Sequence, residues 1–281
     1  MTVKMSIEEY EKLQPVASVR FGEVSVRYSV PSRMALWRAE TLLTKEPETI
    51  EWIESFGPSD VLIDVGANVG MYSIWAAATR GTRVFAFEPE AQNFALLNRN
   101  IQLNGLGEKV IAWCAAVSDD LRFDRLFLNS TTIGDSCHSF GTRVDFRLQP
   151  RNFQFVQGSF SVTLDQLIES GSVPKPHHIK VDVDGFEHKV IAGARNTLAD
   201  PTLRSMLIEI NTNLAEHRGI ISELVEHGFR FSEEQVTRTR VSDGPFAGVA
   251  NYLFRRPVAA PVAAPHFGGA GLLARNEMSR D

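Results

Sequence analysis

Short apolar runs alternate with amphipathic stretches along most of this chain, and several of the runs end at a polar residue. Residues 61–65 form such a run, interrupted only by Asp64 and followed by Gly66, which is typical of a strand buried in a parallel sheet. Residues 71–78 are rich in apolar side chains and alanine and favour a helix packed on that sheet. The pattern therefore predicts a strand, a glycine turn and a helix, which is the first unit of a Rossmann-like fold.

Further apolar runs predict the rest of the sheet. The strands expected after the first are residues 83–90, 109–117, 178–183, 203–210, 229–231 and 252–254. The last two are expected to close the sheet as an antiparallel pair. Helical patterns separate most of the others, so the chain is predicted to have an α/β fold, with a doubly wound, seven-stranded, mostly parallel sheet and helices on both of its faces.

Changes in composition divide the chain into three parts. Residues 1–57 are predicted to be an N-terminal extension and helical preface, and residues 58–256 the main ligand-binding domain. Within this domain, residues 121–160 are strand-like and rich in turns, which indicates a β-hairpin insertion over the carboxyl edge of the sheet. Residues 257–281 repeat Pro, Ala and Gly and are predicted to be a disordered tail.

Composition and charge narrow the class of protein. Of the 281 residues, 43% are hydrophobic and 22% charged, which is typical of a globular protein, and a net charge of −5 argues against a nucleic-acid partner. Cys114 and Cys137 lack zinc-site spacing and read as free thiols of a reducing compartment. With no signal-peptide pattern and no apolar run long enough to span a membrane, we expect a cytoplasmic protein. An open sheet edge near Phe254 would permit a homo-oligomer.

The glycine turn carries the first chemical signal. Its spacing from Asp64 to Gly70, D-x-G-x-x-x-G, differs from the G-x-G-x-x-G fingerprint of dinucleotide sites. A carboxylate at Asp64 repels phosphate but accepts hydrogen bonds from an ammonium, which suits the methionine end of S-adenosylmethionine. Glu88 follows the turn by about 20 residues, at the end of the next strand, and suits ribose hydroxyls. Three further strands are expected to end in polar groups at the same edge, namely Ser118, Asp182 and Glu209.

Seven motifs, in order and at compatible spacing, carry a family resemblance between about residues 38 and 231. They are KEPETIEWI at 45–53, DVGANVGMYS at 64–73, VFAFEPE at 84–90, AAVSD at 115–119, VTLDQL at 162–167, IKVDVDGFEHKVIAGA at 179–194 and LIEIN at 207–211. With these motifs the chain resembles the FkbM-type S-adenosylmethionine-dependent methyltransferases. One departure is Asp184, where the family more often has Glu, and the shorter side chain puts a catalytic role for this acid in doubt.

The resemblance implies a class I methyltransferase fold that binds S-adenosylmethionine. Together with the strand-end pattern, it identifies the expected cofactor-binding residues as Lys45, Glu46, Thr49, Asp64, Gly66, Asn68, Gly70, Tyr72, Glu88 and Ser118. By the same resemblance, residues 45–49 fold over the methionine end of the cofactor. The alternative is that these residues are only a solvated helix start, whose acids are favoured by the helix dipole.

The resemblance also implies the reaction. Such enzymes commonly methylate hydroxyl groups of sugars or secondary metabolites, so we expect a small-molecule or glycan acceptor. Asp182 is the first candidate for the base, because its strand ends at the expected methyl position; alternatively it caps the next helix or holds the cofactor's amine. Glu187 and His188 begin that helix and are further candidates, as is His138 in the insertion.

Three alternatives remain open from the sequence. In a metal-dependent methyltransferase, Asp182, Asp184 and His188 would offer oxygen and nitrogen ligands, although we expect no metal site. An oxidoreductase with a nicotinamide cofactor would use Glu88 in the same way, but the dinucleotide fingerprint is absent. A non-catalytic binding module with this fold is the third alternative, because fold alone does not fix function.

Overall fold

The computed structural model describes residues 5–257, which form helices and strands in the predicted alternation. The strands are β1 (Val16–Phe21), β2 (Val24–Ser29), β3 (Val61–Val65), β4 (Arg83–Phe87), β5 (Val110–Trp113), β6 (Ala116–Val117), β7 (Arg122–Leu128), β8 (Ser139–Phe140), β9 (Phe155–Val162), β10 (His178–Val181), β11 (Ser205–Asn211) and β12 (Val249–Arg255). The helices are α1 (Ile7–Lys12), α2 (Arg33–Thr41), α3 (Pro47–Glu54), α4 (Met71–Arg80), α5 (Ala91–Leu103), α6 (Leu164–Glu169), α7 (Glu187–Ala192), α8 (Arg195–Ala199), α9 (Ala215–Glu226) and α10 (Glu233–Thr239).

The central sheet has the order β12-β11-β10-β3-β4-β5, and only β12 runs antiparallel to its neighbour. From β3 the chain proceeds to β4 and β5 on one side and to β10 and β11 on the other. The strand order therefore reverses at β3, and in open α/β sheets ligands bind at such a point, outside the carboxyl ends of the strands. Buried apolar residues cover both faces of this sheet, which confirms the doubly wound α/β architecture.

The sheet has six strands in the described part of the chain, so the expected count of seven is wrong. Residues 229–231 form only an isolated bridge, between Arg230 and Arg255. Phe229 is instead fully buried in the core, and the Phe231 ring packs at 5.3 Å from those of Tyr252 and Phe254. Ser232 then caps α10 by accepting a hydrogen bond from the Gln235 backbone N–H, so the chain leaves the sheet edge before a strand can form.

The insertion belongs to a second sheet, of order β6-β9-β7-β8. Strands β7 and β9 pair antiparallel along their length, and β6 joins β9 in parallel, which links the insertion to the chain that leaves the central sheet. The predicted strand-rich insertion is therefore present, but it is part of a four-stranded sheet rather than a separate hairpin. Its long excursion between β7 and β9 covers the carboxyl edge of the central sheet.

The N-terminal segment packs on the same core as the main domain. Val26 and Tyr28 of β2 and Trp52 of α3 are buried, and the Tyr28 hydroxyl donates a hydrogen bond to the Met71 carbonyl at 3.0 Å. Both cysteines are free, as predicted. Within residues 5–257, no helix combines the length and apolar character needed to cross a membrane. The predicted tail lies outside the described residues, apart from residue 257.

Candidate active site

A cavity of about 700 Å³ opens at the carboxyl ends of β3, β4, β10 and β11, where the strand order reverses. Helix α2, the insertion and the segment before β12 add walls from outside the sheet. The cavity is lined by nine of the residues predicted from the sequence, namely Lys45, Glu46, Asp64, Gly66, Asn68, Tyr72, Glu88, Ser118 and Asp182. Four others, Thr49, Gly70, Glu187 and His188, lie outside the lining.

The two glycines of the turn serve protein packing. Gly66 has a φ of 81°, and a Cβ there would lie 1.9 Å from the Asp182 carbonyl oxygen. Gly70 has a φ of 85°, and its Cβ would lie 2.3 Å from a methyl group of Leu97 on α5. Only glycine therefore fits at either position. Gly66 also lines the cavity, so its contact with the neighbouring strand end adds a packing requirement to its expected place in the cofactor site.

Glu88 is 5% exposed and holds the glycine turn as well as lining the cavity. One of its carboxylate oxygens accepts a hydrogen bond from the Asn68 N–H at 2.8 Å, and the other accepts one from the Glu90 N–H at 2.9 Å. Burial raises the pKa of Glu88 to about 7, although these two N–H groups act in the opposite direction. Each oxygen keeps a lone pair that a ligand hydroxyl can use.

Asp64 is 1% exposed and has one oxygen without a protein partner. Its Oδ2 accepts a hydrogen bond from the Ser73 hydroxyl at 2.6 Å, whereas Oδ1 has none within the described residues. Burial raises the pKa of Asp64, and the nearby Lys180 ammonium works against that rise. A buried acceptor left unpaired is costly, so this oxygen of a cavity-lining residue is available to a further hydrogen-bond donor.

Lys180 is a site residue that sequence reasoning missed. Its side chain is buried next to Asp64 in the paired strand, and its Nζ donates to Asp182 Oδ2 at 2.8 Å and lies 5.2 Å from the centre of the Tyr72 ring. Burial alone would lower the pKa of Lys180, but Asp182, Asp64 and Glu46 raise it above its usual value. A lysine inside a strand whose other residues are apolar or aromatic was the available signal.

Asp182 lies at the end of β10, partly exposed to the cavity. Burial opposes its ionisation, but the ammonium groups of Lys180 and Lys45 lower its pKa below the usual value. Lys45 in turn donates to Glu46 at 2.6 Å, and Thr49 donates to the other Glu46 oxygen at 3.2 Å. The predicted segment 45–49 thus borders the cavity through Lys45 and Glu46, while Thr49, which is fully buried, orients Glu46.

The segment between β7 and β9, residues 129–154, covers the cavity and is called the roof below. It is held by hydrogen bonds to distant parts of the chain. The Asn68 and Asn93 side-chain amides donate to the Asp135 carbonyl at 2.8 and 3.1 Å, and Arg38 Nε donates to the Gly134 carbonyl at 2.6 Å. The side chain of Asn68 is therefore already engaged by the protein. The roof also carries His138, whose Nδ1 accepts from the Asn129 N–H, so the neutral ring has its proton on Nε2 and no free lone pair for a base.

Asp184 fixes the roof from the other side and has a φ of 54°. Its carboxylate accepts a hydrogen bond from the Cys137 N–H at 2.7 Å, and burial raises its pKa to about 6. Asp182, Asp184 and Glu209 each bring a carboxylate oxygen within 4.8 Å of the others. His188, which the metal-dependent alternative paired with Asp182 and Asp184, is not part of this group.

Glu187 and His188 lie outside the lining of the cavity, unlike Asp182. Glu187 is fully buried and accepts hydrogen bonds from the Val183 and Gly185 N–H groups at 2.9 and 3.0 Å. Its side chain also lies 3.2 Å from Nε2 of His217, which is 3.0 Å from the Gly185 carbonyl. Glu187 therefore supports the turn that follows Asp182, because its carboxylate is used by that turn.

Ser118 also lines the cavity at the carboxyl edge. Its hydroxyl donates to the Asp119 carboxylate at 2.9 Å, and its backbone N–H donates to the Val162 carbonyl at 3.0 Å. The second contact continues the pairing of β6 with β9. The end of α7 also approaches this point closely, since a Cβ on Gly193 would lie 2.2 Å from the Ser118 carbonyl. Ser118 thus contributes a buried, fixed stretch of the wall.

Comparison with known proteins identifies the sequence relatives. Hexuronic acid methyltransferase AglP of Haloferax volcanii is 28% identical over 207 residues, covering 72% of this chain and 79% of that protein. The 31-O-demethyl-FK506 methyltransferase FkbM of Streptomyces tacrolimicus is 26% identical over 200 residues, covering 63% of this chain and 75% of that protein.

A solved structure and a family model are also similar to this chain. The crystal structure of magnesium protoporphyrin IX methyltransferase (ChlM) from Synechocystis has 12% sequence identity and a TM-score of 0.45, with 82% of this chain and 86% of that chain covered. The model of the methyltransferase FkbM domain matches residues 64–231, which include the strand-end acids Asp64, Glu88, Asp182 and Glu209. The chain has a Rossmann-like, doubly wound fold and belongs to the FkbM methyltransferase family.

Proposed function

We propose that this protein transfers a methyl group from S-adenosylmethionine to an oxygen atom of a sugar or secondary metabolite. The observation that carries the proposal is the pair of buried carboxylates, Asp64 and Glu88, at neighbouring strand ends beside the glycine turn. The names of two relatives, a hexuronic acid methyltransferase and a 31-O-demethyl-FK506 methyltransferase, support a sugar or a secondary metabolite as acceptor.

The residues at the cavity fit the cofactor. The unpaired Oδ1 of Asp64 is suited to an ammonium, and the remaining lone pairs of Glu88 are suited to the ribose hydroxyls. Lys45, Glu46 and Tyr72 border the same cavity, and we assign them to the amino-acid end. When bound, S-adenosylmethionine supplies a methyl group on a sulfonium, which is a strong leaving group.

Asp182 is the proposed base for a hydroxyl acceptor. Its strand end faces the cavity, and Lys180 holds the carboxylate at 2.8 Å in its ionised, proton-accepting form. An alcohol holds its proton tightly at neutral pH, so a base that takes it as the new bond forms lowers the barrier. Positioning of the acceptor by the roof and by α2 supplies the rest of the proposed catalysis.

The first experiment tests whether the protein binds S-adenosylmethionine and transfers its methyl group. Isothermal titration of the full chain with S-adenosylmethionine, S-adenosylhomocysteine and NADH should give binding for the first two and none for NADH. Incubation with S-adenosylmethionine and a panel of sugars and hydroxylated metabolites, followed by mass spectrometry, should add 14 Da (one methylene) to an acceptor. If S-adenosylmethionine binds but no acceptor is methylated, and the same panel is methylated by a related enzyme, a non-catalytic binding module is the better description.

A further inference from the structure

Among the described residues that line the cavity, Arg38 is the cation that is fixed in place yet has no carboxylate partner. Its Nε donates to the Gly134 carbonyl of the roof at 2.6 Å, which orients the planar guanidinium. Within residues 5–257, its two terminal nitrogens have no hydrogen-bond acceptor, and no carboxylate oxygen lies within 4.0 Å of the group. Arg38 nevertheless lines a cavity rich in acids.

The other cations of the cavity differ from Arg38 in this respect. Lys45 pairs with Glu46 at 2.6 Å and Lys180 with Asp182 at 2.8 Å, so both charges are neutralised by the protein. Lys189 reaches Asp119 at 4.0 Å. The side chain of Arg238 is exposed and makes no hydrogen bond in the described part of the chain. Among the described residues, Arg38 is therefore the oriented guanidinium of the cavity that forms no salt bridge, although its charge acts at longer range on Glu88, Asp182 and Asp184.

The chemistry of this group selects its ligand. A guanidinium whose Nε is occupied still presents parallel N–H donors, and these match the two oxygens of a carboxylate. The surrounding acids, among them Glu88, Asp182 and Asp184, repel an anion from the cavity in general. An anionic group is consequently favoured only where a dedicated cation compensates for them, and Arg38 provides that cation.

The position of Arg38 points to the acceptor rather than to the cofactor. The residues that fit the cofactor lie at the ends of the central strands and on residues 45–72, whereas Arg38 belongs to α2, outside the central sheet. Its neighbour Trp37 also lines the cavity with 42% of its surface exposed, and offers an apolar face at the opening. These are elements outside the nucleotide-binding core, where acceptor contacts are expected.

We propose that Arg38 determines acceptor specificity by binding a carboxylate of the acceptor, so that this protein acts on acidic sugars or similar organic acids. The inference rests on the proposed function, because it assumes that the acceptor enters the same cavity as the cofactor. Its ligand is defined by chemistry: a carboxylate on a polar ring small enough to share the cavity with S-adenosylmethionine.

Calorimetry on protein saturated with S-adenosylhomocysteine tests the proposal without depending on turnover. The probes are glucuronic, galacturonic and mannuronic acids, each compared with its neutral hexose. We expect at least one uronic acid to bind about tenfold or more tightly than its hexose, the difference expected from a charge-assisted bidentate contact. Arg38→Met should abolish this difference in affinity. Arg38→Lys should retain part of it, because lysine keeps the positive charge but lacks the two parallel N–H donors of the guanidinium.

Arg33→Met is the matched control, since Arg33 lies on the same helix but outside this cavity. It should leave both affinities unchanged, and melting temperatures of the variants check that each is folded. If no uronic acid binds more tightly than its hexose to the wild-type complex, the inference is wrong. It is also wrong if Arg38→Met or Arg38→Lys instead weakens the binding of S-adenosylmethionine and S-adenosylhomocysteine. The Arg38 guanidinium would then bind the cofactor's own carboxylate. Failure of the wild-type protein to bind S-adenosylhomocysteine would count separately, against the proposed function.

Discussion

The carboxylate of Glu88 accepts a hydrogen bond from the backbone N–H of Asn68 at 2.8 Å. Asn68 has a φ of 50°, which few residues other than glycine adopt without cost, and the bond to Glu88 helps to hold the turn in that conformation. The residue proposed to bind the cofactor thus also shapes the turn beside it. Binding and local stability are therefore coupled at this position.

From this coupling we predict that Glu88→Gln weakens the binding of S-adenosylmethionine roughly tenfold or more. The substitution replaces one acceptor oxygen with a donor amide, which costs about 1.5–3 kcal/mol of binding free energy. The melting temperature should fall as well. Glu90→Gln is the matched control: Glu90 is also buried and caps α5, but it does not line the cavity. It should lower the melting temperature and leave the calorimetric affinity unchanged. Equal affinities for the wild-type protein and Glu88→Gln would remove Glu88 from the cofactor site.

The strand ends could be predicted from the sequence because their chemistry is local. An apolar run that contains Asp64 and ends at a glycine turn indicates both a strand and its acid, and the runs that end at Glu88 and Asp182 do the same. Parallel strands then bring these acids to one edge of the sheet. The sequence could not show that Thr49 supports Glu46, or that Glu187 supports the turn after Asp182, because both depend on which way a side chain points.

The roof was the least predictable part of the site. Its contacts join residues far apart in the chain, such as Asn68 with Asp135 and Asp184 with Cys137, and none has a periodic signature. Among the described residues, the terminal guanidinium nitrogens of Arg38 have no partner, and only the three-dimensional structure reveals this. The missing seventh strand has a similar cause, since the aromatic packing of Phe231 takes residues 229–231 out of the sheet register.

At the opposite end of the sheet, a buried polar chain makes stability depend on pH. Trp52 donates to the Ser205 hydroxyl, which lies 2.8 Å from Nδ1 of His178, and Nε2 of His178 lies 3.1 Å from Asp60. Burial lowers the pKa of His178 to about 4, below the 6.5 of an exposed histidine. The unfolded chain therefore binds a proton that the native chain does not, and stability falls as the pH falls from 6.5 towards 4.

We predict that His178 alone contributes a decrease of up to about 1.4 kcal/mol per pH unit to the free energy of unfolding in urea as the pH falls below 6.5, while the raised pKa values of buried Glu88 and Asp184 act in the opposite direction over part of this range. His178→Gln should remove this contribution from the pH profile while lowering stability at pH 7, because the link to Asp60 is altered. His227→Gln, at the end of α9 and outside the chain of contacts, should retain the wild-type slope. A slope unchanged in His178→Gln would show that other groups cause the acid sensitivity.

We expect methyl transfer to need no added metal. Of the three carboxylates that approach one another, Asp182 is paired with Lys180, and Asp184 accepts a hydrogen bond from Cys137. Two of them therefore already have protein partners. Protein dialysed against EDTA should retain its rate with an acceptor found in the mass-spectrometric screen. Loss of activity that magnesium or manganese restores would instead favour metal assistance, and Glu209→Gln should then weaken the metal response.

The last prediction concerns Asp182 as base. Asp182→Asn keeps the shape of the side chain but removes the charge that takes up the proton of a hydroxyl. General-base help contributes about 10²–10⁴-fold, so kcat should fall by a factor of that order while the affinity for S-adenosylmethionine stays within a few-fold. Asp200→Asn is the matched control, because Asp200 also pairs with a lysine, Lys175 at 2.6 Å, but lies outside the cavity.

The pairing with Lys180 decides how the result is interpreted. Removing Asp182 leaves a buried ammonium without its nearest counter-charge, so a loss of kcat in Asp182→Asn alone could reflect a displaced lysine. The double variant Asp182→Asn, Lys180→Met removes both charges. If Asp182 is the base, the double variant should remain as slow as the single one, although its melting temperature recovers. Recovery of kcat in the double variant, or loss of S-adenosylmethionine affinity with kcat retained in Asp182→Asn, would make Asp182 a charge partner or a cofactor ligand instead.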